Sequence, residues 1–125
     1  MRENTAHAFP FQVSPLVPGP RRWTLELLFN GLAIRRFPIT TQGVTIGRSI
    51  SDAQIIVDDP RISMRHAWIG VVSGNDVVAD FGSTNGTYVN AVERGRVITT
   101  VLSRGDIVIL ASPDAMCFRI ARHLP

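Results

Sequence analysis

At 125 residues the chain suits a single domain. Apolar residues make up 45% and charged residues 18%, which excludes a highly charged disordered chain and leaves material for a core. The net charge is +3, with 13 arginines and no lysine against 10 acids; the two signs are interspersed, so no long basic stripe suited to nucleic acid forms, and no run of 18 apolar residues predicts membrane insertion.

Residues 1–20 carry Pro10, Pro15, Pro18 and Pro20 with little periodicity, and are read as a flexible, proline-rich tail. They lack the unbroken apolar core of a secretory signal. The single cysteine, Cys117, lies in an apolar run and reads as a buried free thiol; it suits a reducing compartment, and a cytoplasmic location is expected.

From Arg21 to the end, residues 21–125, the pattern is that of one β-rich domain. Trp23–Phe29 and Leu32–Ile39 flank Asn30-Gly31, a strong hairpin signal, because a type I′ turn needs positive φ at both central residues. Val44–Arg48 and Gln54–Pro60 follow. His66–Val72 and Asp76–Phe81 are joined by Ser73-Gly74-Asn75, and Asn85-Gly86 precedes Thr87–Asn90. Gly95–Leu102, Gly105–Leu110 and Ala115–Ala121 complete about ten short runs. No stretch sustains a 3.6-residue apolar period. The chain is therefore expected to be all-β, a two-sheet sandwich, with an open barrel as the alternative.

Three short motifs fall at the ends of these runs. Gly47-Arg48 closes Val44–Arg48. Ser63-Met64-Arg65-His66 leads into His66–Val72. Asp80-Phe81-Gly82-Ser83-Thr84-Asn85-Gly86-Thr87 is dense in turn-formers. Singly, each is compatible with an ordinary turn or strand end. Ser63 and His66 could suggest nucleophilic catalysis, but no G-x-S-x-G elbow surrounds Ser63 and no acid is evident to orient His66. Asp80–Gly82 spells the kinase magnesium triplet, yet the catalytic loop and strand lysine of a kinase are missing. Gly47-Arg48-Ser49 is not a P-loop, and His7, His66 and His123 lack metal-ligand spacing. Neither an enzyme, a metal nor a cofactor is predicted.

In order and at these spacings, Ile46–Arg48, Asp58–Ala67 and Asp80–Asn90 resemble the forkhead-associated (FHA) domain, and Arg104–Leu110 resembles that family's later G-D strand. The resemblance spans roughly residues 23–120. It implies a sandwich of about eleven strands that recognises phosphothreonine in partner proteins. By matching position, Arg48 would grip the phosphate and ligand backbone, Ser63 would donate its hydroxyl, Thr84 would add a contact, and Asn85 would hold the peptide main chain. His66 would brace the loop of Ser63, while Gly47 and Gly86 would permit tight backbone. A Ser/Thr kinase pathway, or secretion in a bacterium, is the implied setting. The chemistry agrees: phosphate brings about −1.5 to −2 charge and three strong acceptors, which arginine and hydroxyl donors suit.

Met64 departs from the pattern, since the family commonly has Arg, Asn or Lys there. A thioether is a weak acceptor and no donor. Arg61 and Arg65, two residues either side of Ser63, are the candidates to supply the missing charge. The alternative is an FHA-like scaffold that binds a partner without phosphate.

Overall fold

The structure, a computed structural model, describes residues 11–13, 21–40 and 42–121. Among them are eleven strands: β1 (Phe11–Val13), β2 (Arg21–Phe29), β3 (Leu32–Thr40), β4 (Val44–Gly47), β5 (Ile55–Val57), β6 (Ala67–Val72), β7 (Asn75–Asp80), β8 (Thr87–Val89), β9 (Thr99–Val101), β10 (Ile107–Leu110) and β11 (Met116–Ala121). They form a six-stranded sheet in the order β1-β5-β4-β6-β7-β9 and a five-stranded sheet in the order β3-β2-β11-β10-β8. All pairings are antiparallel except β4 with β5.

Period-2 alternation explains the sandwich. On β11, Met116, Phe118 and Ile120 are buried and Cys117, Arg119 and Ala121 less so. Leu25 and Leu27 of β2 and Val108 and Leu110 of β10 join them from one sheet; Val44, Ile46, Ile55, Val57, Ala67, Ile69 and Val78 meet them from the other. On the outer side of the five-stranded sheet, the nearly buried Glu26 accepts from Arg36 at 2.9 Å and Arg119 at 2.8 Å. Burial alone would raise its pKa, but the two arginines hold it below the ordinary range.

The Asn30-Gly31 turn forms as expected, with φ of 51° and 79°. Ser73 and Gly74 also have positive φ, and β7 starts at Asn75, opposite Val72, so that turn is one residue tighter than Ser73–Asn75. Asn85-Gly86 makes no hairpin. It carries the chain from β7 in one sheet to β8 in the other. Three residues within the segment read as a tail, Phe11–Val13, pair with β5 as an edge strand; the rest of that segment lies outside the described residues. A 3-10 turn at Val92–Arg94 went unpredicted, because three residues are too few to set up a helical period.

The strands also end sooner than the apolar runs suggest. β5 stops at Val57, where Asp58, Asp59 and Pro60 turn the chain. β6 starts at Ala67, leaving His66 in the loop that precedes it. The loops after β4, β5, β7 and β10 are thereby brought together at one end of the sandwich, tied by Arg48 N–H to the Ser63 carbonyl at 3.0 Å and Ala111 N–H to the Gly86 carbonyl at 2.9 Å.

Candidate functional site

The site is built from an inner knot and an outer row. At the centre of the knot is His66, fully buried. Its Nδ1 accepts the Ser63 N–H at 3.1 Å, so Nε2 carries the proton and donates to the Gly86 carbonyl at 2.8 Å. Burial pushes its pKa below the usual histidine value, keeping the ring neutral. Both nitrogens are engaged by backbone, and neither meets the Ser63 hydroxyl. The pair is therefore a brace between two loops, not a nucleophile and its base.

Asp80 is the second centre. Its carboxylate accepts from Ser83 Oγ at 2.6 Å, Thr87 Oγ1 at 2.7 Å and Ser83 N–H at 2.9 Å. Burial alone would raise its pKa, but the hydrogen bonds from Ser83 and Thr87 hold the carboxyl below its ordinary value. Arg96 lies 3.6 Å from the same carboxylate and also donates to the Ser83 carbonyl. Ser83 Oγ in turn accepts the Gly86 N–H at 3.0 Å. This closes the turn Ser83–Gly86 and presents Thr84 and Asn85 to solvent. Gly86 has φ of 89°, and a Cβ there would also lie 2.7 Å from the Tyr88 hydroxyl.

The outer row stands on this knot. Ser63 Oγ accepts the Thr84 N–H at 3.1 Å, which leaves its own proton to donate outward. Asn85 Nδ2 donates to the Arg61 carbonyl at 2.9 Å, while Tyr88 donates its hydroxyl to the Asn85 carbonyl at 3.0 Å. Arg48 donates Nε to the Ile62 carbonyl at 2.9 Å. That bond fixes the guanidinium, and among the described residues its two terminal nitrogens have no partner. Gly47 lets these loops meet: a Cβ there would sit 2.2 Å from the Met64 carbonyl oxygen, a backbone atom that cannot yield. Hydrogen bonds thus tie Arg48 and Thr84 to the loop of Ser63 directly and Asn85 to the same loop through the Arg61 carbonyl.

The two arginines near Ser63 differ. Arg61 is held by Asp59 through Nη2 at 2.7 Å and Nε at 3.0 Å, and by Asp114 through Nη1 at 3.1 Å. The hydrogen bond to Asp59, then that to Asp114, raises its pKa above the usual arginine value. Its charge is matched by two carboxylates, so it is poorly placed to replace a donor at Met64. Arg65 instead lies over the Phe81 ring, 4.2 Å from the centroid, and remains exposed.

With this arrangement in view, the family model for the FHA domain matches residues 44–111. The chain belongs to the FHA domain family. It is 41% identical over 73 residues to the glycogen accumulation regulator GarA of Mycolicibacterium smegmatis, covering 58% of this chain and 44% of that protein. It is 38% identical over 88 residues to an oxoglutarate dehydrogenase inhibitor of Corynebacterium efficiens, covering 64% and 59%. The chain thus spans about half the length of the curated relatives it matches. A solved structure described in terms of phosphothreonine-dependent FHA domain interactions superposes with a TM-score of 0.65 at 30% identity, covering 82% of this chain and 97% of that one.

Sequence reasoning missed several parts of this FHA site. Asp80 belongs to the motif Asp80–Asn90 but is assigned no role by the sequence, although Asp80-x-x-Ser83 is a spacing at which a carboxylate caps a turn. The Asp114 partner of Arg61 left no signal, being 53 positions away. Phe81 reads as core by type, yet it is 39% exposed beneath Arg65. Among the described residues no group of three or more His, Cys, Asp or Glu side chains gathers to hold a metal, and no helix is long and apolar enough to cross a membrane. Cys117, expected to be buried, is only half-buried on the outer face of β11; partial burial raises the pKa of its thiol, which donates to the Pro113 carbonyl at 3.3 Å.

Proposed function

We propose that this FHA domain is a protein-interaction module that binds phosphothreonine in a partner protein, and that it works as a regulator in a bacterial, cytoplasmic Ser/Thr kinase pathway rather than as an enzyme. The observation that carries the reading is Arg48. Its Nε is anchored to the carbonyl of Ile62, the residue before Ser63, while among the described residues its terminal nitrogens have no partner. A guanidinium fixed in this way loses little freedom when it takes a phosphate through paired, charge-assisted bonds.

In this reading Arg48 and Ser63 hold phosphate oxygens. Thr84 adds its hydroxyl, and Asn85, with Nδ2 anchored and, among the described residues, no partner on Oδ1, meets the peptide main chain. Arg65 supplies the charge that Met64 lacks, since Arg61 is already matched by Asp59 and Asp114. His66, Gly47 and Gly86 support these groups without touching the ligand. The structural relative described in terms of phosphothreonine-dependent FHA domain interactions supports the same class of ligand. The test is a titration with a degenerate phosphothreonine peptide library and its unphosphorylated counterpart, repeated with Arg48→Ala. Selective binding of the phosphorylated pool that Arg48→Ala abolishes is expected. Equal binding of both pools would favour a phosphate-independent scaffold.

A further inference from the structure

The strands of the two sheets carry charge very differently. Those of the five-stranded sheet hold Arg21, Arg22, Arg35, Arg36 and Arg119 against one acid, Glu26. Those of the six-stranded sheet hold no arginine and two acids, Asp76 and Asp80. On the outer face of the five-stranded sheet, Glu26 of β2 pairs in register with Arg36 of β3 on one side and Arg119 of β11 on the other. Side chains directly opposite one another on neighbouring strands interact, so the three form a single cross-strand row.

Both arginines of the row are anchored as Arg48 is. Arg36 Nε donates to Glu26 Oε2 at 2.9 Å, and Arg119 Nε donates to Glu26 Oε1 at 2.8 Å. Among the described residues, the terminal nitrogens of both guanidiniums have no partner. The side chains of Arg36 and Arg119 are 66% and 38% exposed, against 9% for Glu26. One arginine is enough to pair with a buried carboxylate. The second is surplus to that role, and two cations against one anion leave the row with a positive charge in excess. No hydrogen bond or ion pair among the described residues joins this row to Arg48, Ser63, Thr84 or Asn85.

We propose that Arg36 and Arg119, oriented by Glu26, form a second anion site on the outer face of the five-stranded sheet, and that it takes a carboxylate side chain from an acidic segment of a partner protein. The proposal is independent of the phosphothreonine reading and adds a second contact for a partner. Guanidinium forks held by Nε present their remaining donors in a fixed plane, which suits the two oxygens of a carboxylate. Charge selects carboxylate over phosphate. A single negative charge cancels the excess on the row, whereas a phosphate monoester, at about −1.5 to −2, leaves negative charge facing Glu26. The backbone of β2 is paired on both sides, with β3 and with β11, so the middle of this face offers no loop amides of the kind a phosphate site draws on. A nucleic-acid strand needs a stripe of cations along its backbone, and the two forks make one spot. The surplus of arginine on β2, β3 and β11 steers an acidic segment towards this face.

The experiment is a titration of the isotope-labelled full chain followed by amide chemical shifts, at about neutral pH and low ionic strength, where screening is weak. The probes are a Gly/Ser-spaced glutamate peptide, its glutamine counterpart, inorganic phosphate and a single-stranded oligouridylate. The variants are Arg36→Gln, Arg119→Gln, Arg36→Lys and Arg119→Lys, with Arg94→Gln, an exposed arginine in the 3-10 turn, as the control for lost charge elsewhere. Each single variant leaves one arginine on Glu26, and thermal midpoints verify that it is folded. The glutamate peptide is expected to shift amides of β2, β3 and β11 to saturation, and the glutamine peptide is not. Arg36→Gln and Arg119→Gln should each weaken the glutamate peptide about three- to tenfold, the scale of one charge-assisted contact. The lysine variants should weaken it about threefold, because they keep the charge and lose the fork. Arg94→Gln should change it by less than about twofold. The proposal is overturned by an absence of saturable shifts, by equal binding of the glutamine peptide, or by shifts confined to the Arg48 and Ser63 loops. Unchanged affinity in the glutamine or the lysine variants, or tighter binding of phosphate or oligouridylate on this face, overturns it as well.

Discussion

The inner knot and the outer row of the site lie within a few residues of each other and use their polar groups in opposite ways. In the knot, Asp80 accepts three hydrogen bonds, His66 uses both ring nitrogens and Ser83 is engaged through its N–H, hydroxyl and carbonyl. In the row, Arg48 and Asn85 each anchor one side-chain nitrogen and, among the described residues, keep another polar atom open, while Ser63 Oγ accepts inward and keeps its own proton to donate. The difference teaches how a loop site becomes rigid without being closed. Buried groups are satisfied inward, because an unpaired one costs about 1–3 kcal/mol. Exposed groups are half-satisfied, which fixes their geometry and reserves their donors for a ligand.

Substitutions in the two regions should therefore separate stability from binding. The largest effect on stability is expected from Asp80→Ala. It leaves Ser83 and Thr87 unpaired in the interior and should cost about 3 kcal/mol or more, seen as a lower urea midpoint. Gly47→Ala comes next. Its Cβ would meet the Met64 carbonyl oxygen, so the Arg48 and Ser63 loops must part, at about 1–3 kcal/mol and with loss of phosphopeptide binding. Full stability in this variant would show that the close approach is not needed.

Among the arginines the contrast should appear in binding alone. Arg65→Ala is expected to weaken phosphopeptide binding about three- to tenfold, in line with loss of one exposed charge contact. Arg61→Ala should leave affinity within about twofold and barely move the urea midpoint, since its ion pairs are partly solvated. The reverse ranking by isothermal calorimetry would reassign the compensating charge to Arg61.

The smallest effect is on pH dependence. His66 has its pKa depressed in the folded state, so below the ordinary histidine value of 6.5 the unfolded chain binds more protons. Stability is then full above about pH 6.5 and declines as pH falls below it. His66→Gln should be less stable at pH 7.5 but flatter between pH 7.5 and 5. Asp80, also depressed, contributes stability above the usual carboxylate range that is lost as pH falls through its folded value, below 3.8. A wild-type urea midpoint unchanged from pH 7.5 to 5 would contradict a neutral, buried His66.

Much of this arrangement was legible in the sequence. Period-2 apolar runs and turn residues predicted the sandwich, and the order of Gly47-Arg48, Ser63-x-x-His66 and Asp80–Asn90 pointed to the loops that meet. What stayed hidden depends on distance along the chain. Asp114 reaches Arg61 across 53 positions, and Arg96 reaches Asp80 across 16, so neither pairing has a local pattern. The opposite fates of Arg61 and Arg65 follow from the loop each faces, which spacing alone does not reveal. Phe11–Val13 pair with β5 despite flanking prolines, because three extended residues suffice for an edge strand.

The most direct test of the account is calorimetric titration of the wild-type domain and Arg48→Ala with one phosphothreonine peptide selected from the library, and with its unphosphorylated form. The account predicts binding of the phosphorylated peptide alone, a loss of about thirtyfold or more in Arg48→Ala, as expected for removing two charge-assisted bonds, and an unchanged urea midpoint. Equal affinity for both peptide forms, or an Arg48→Ala variant that binds as well as wild type, would contradict it.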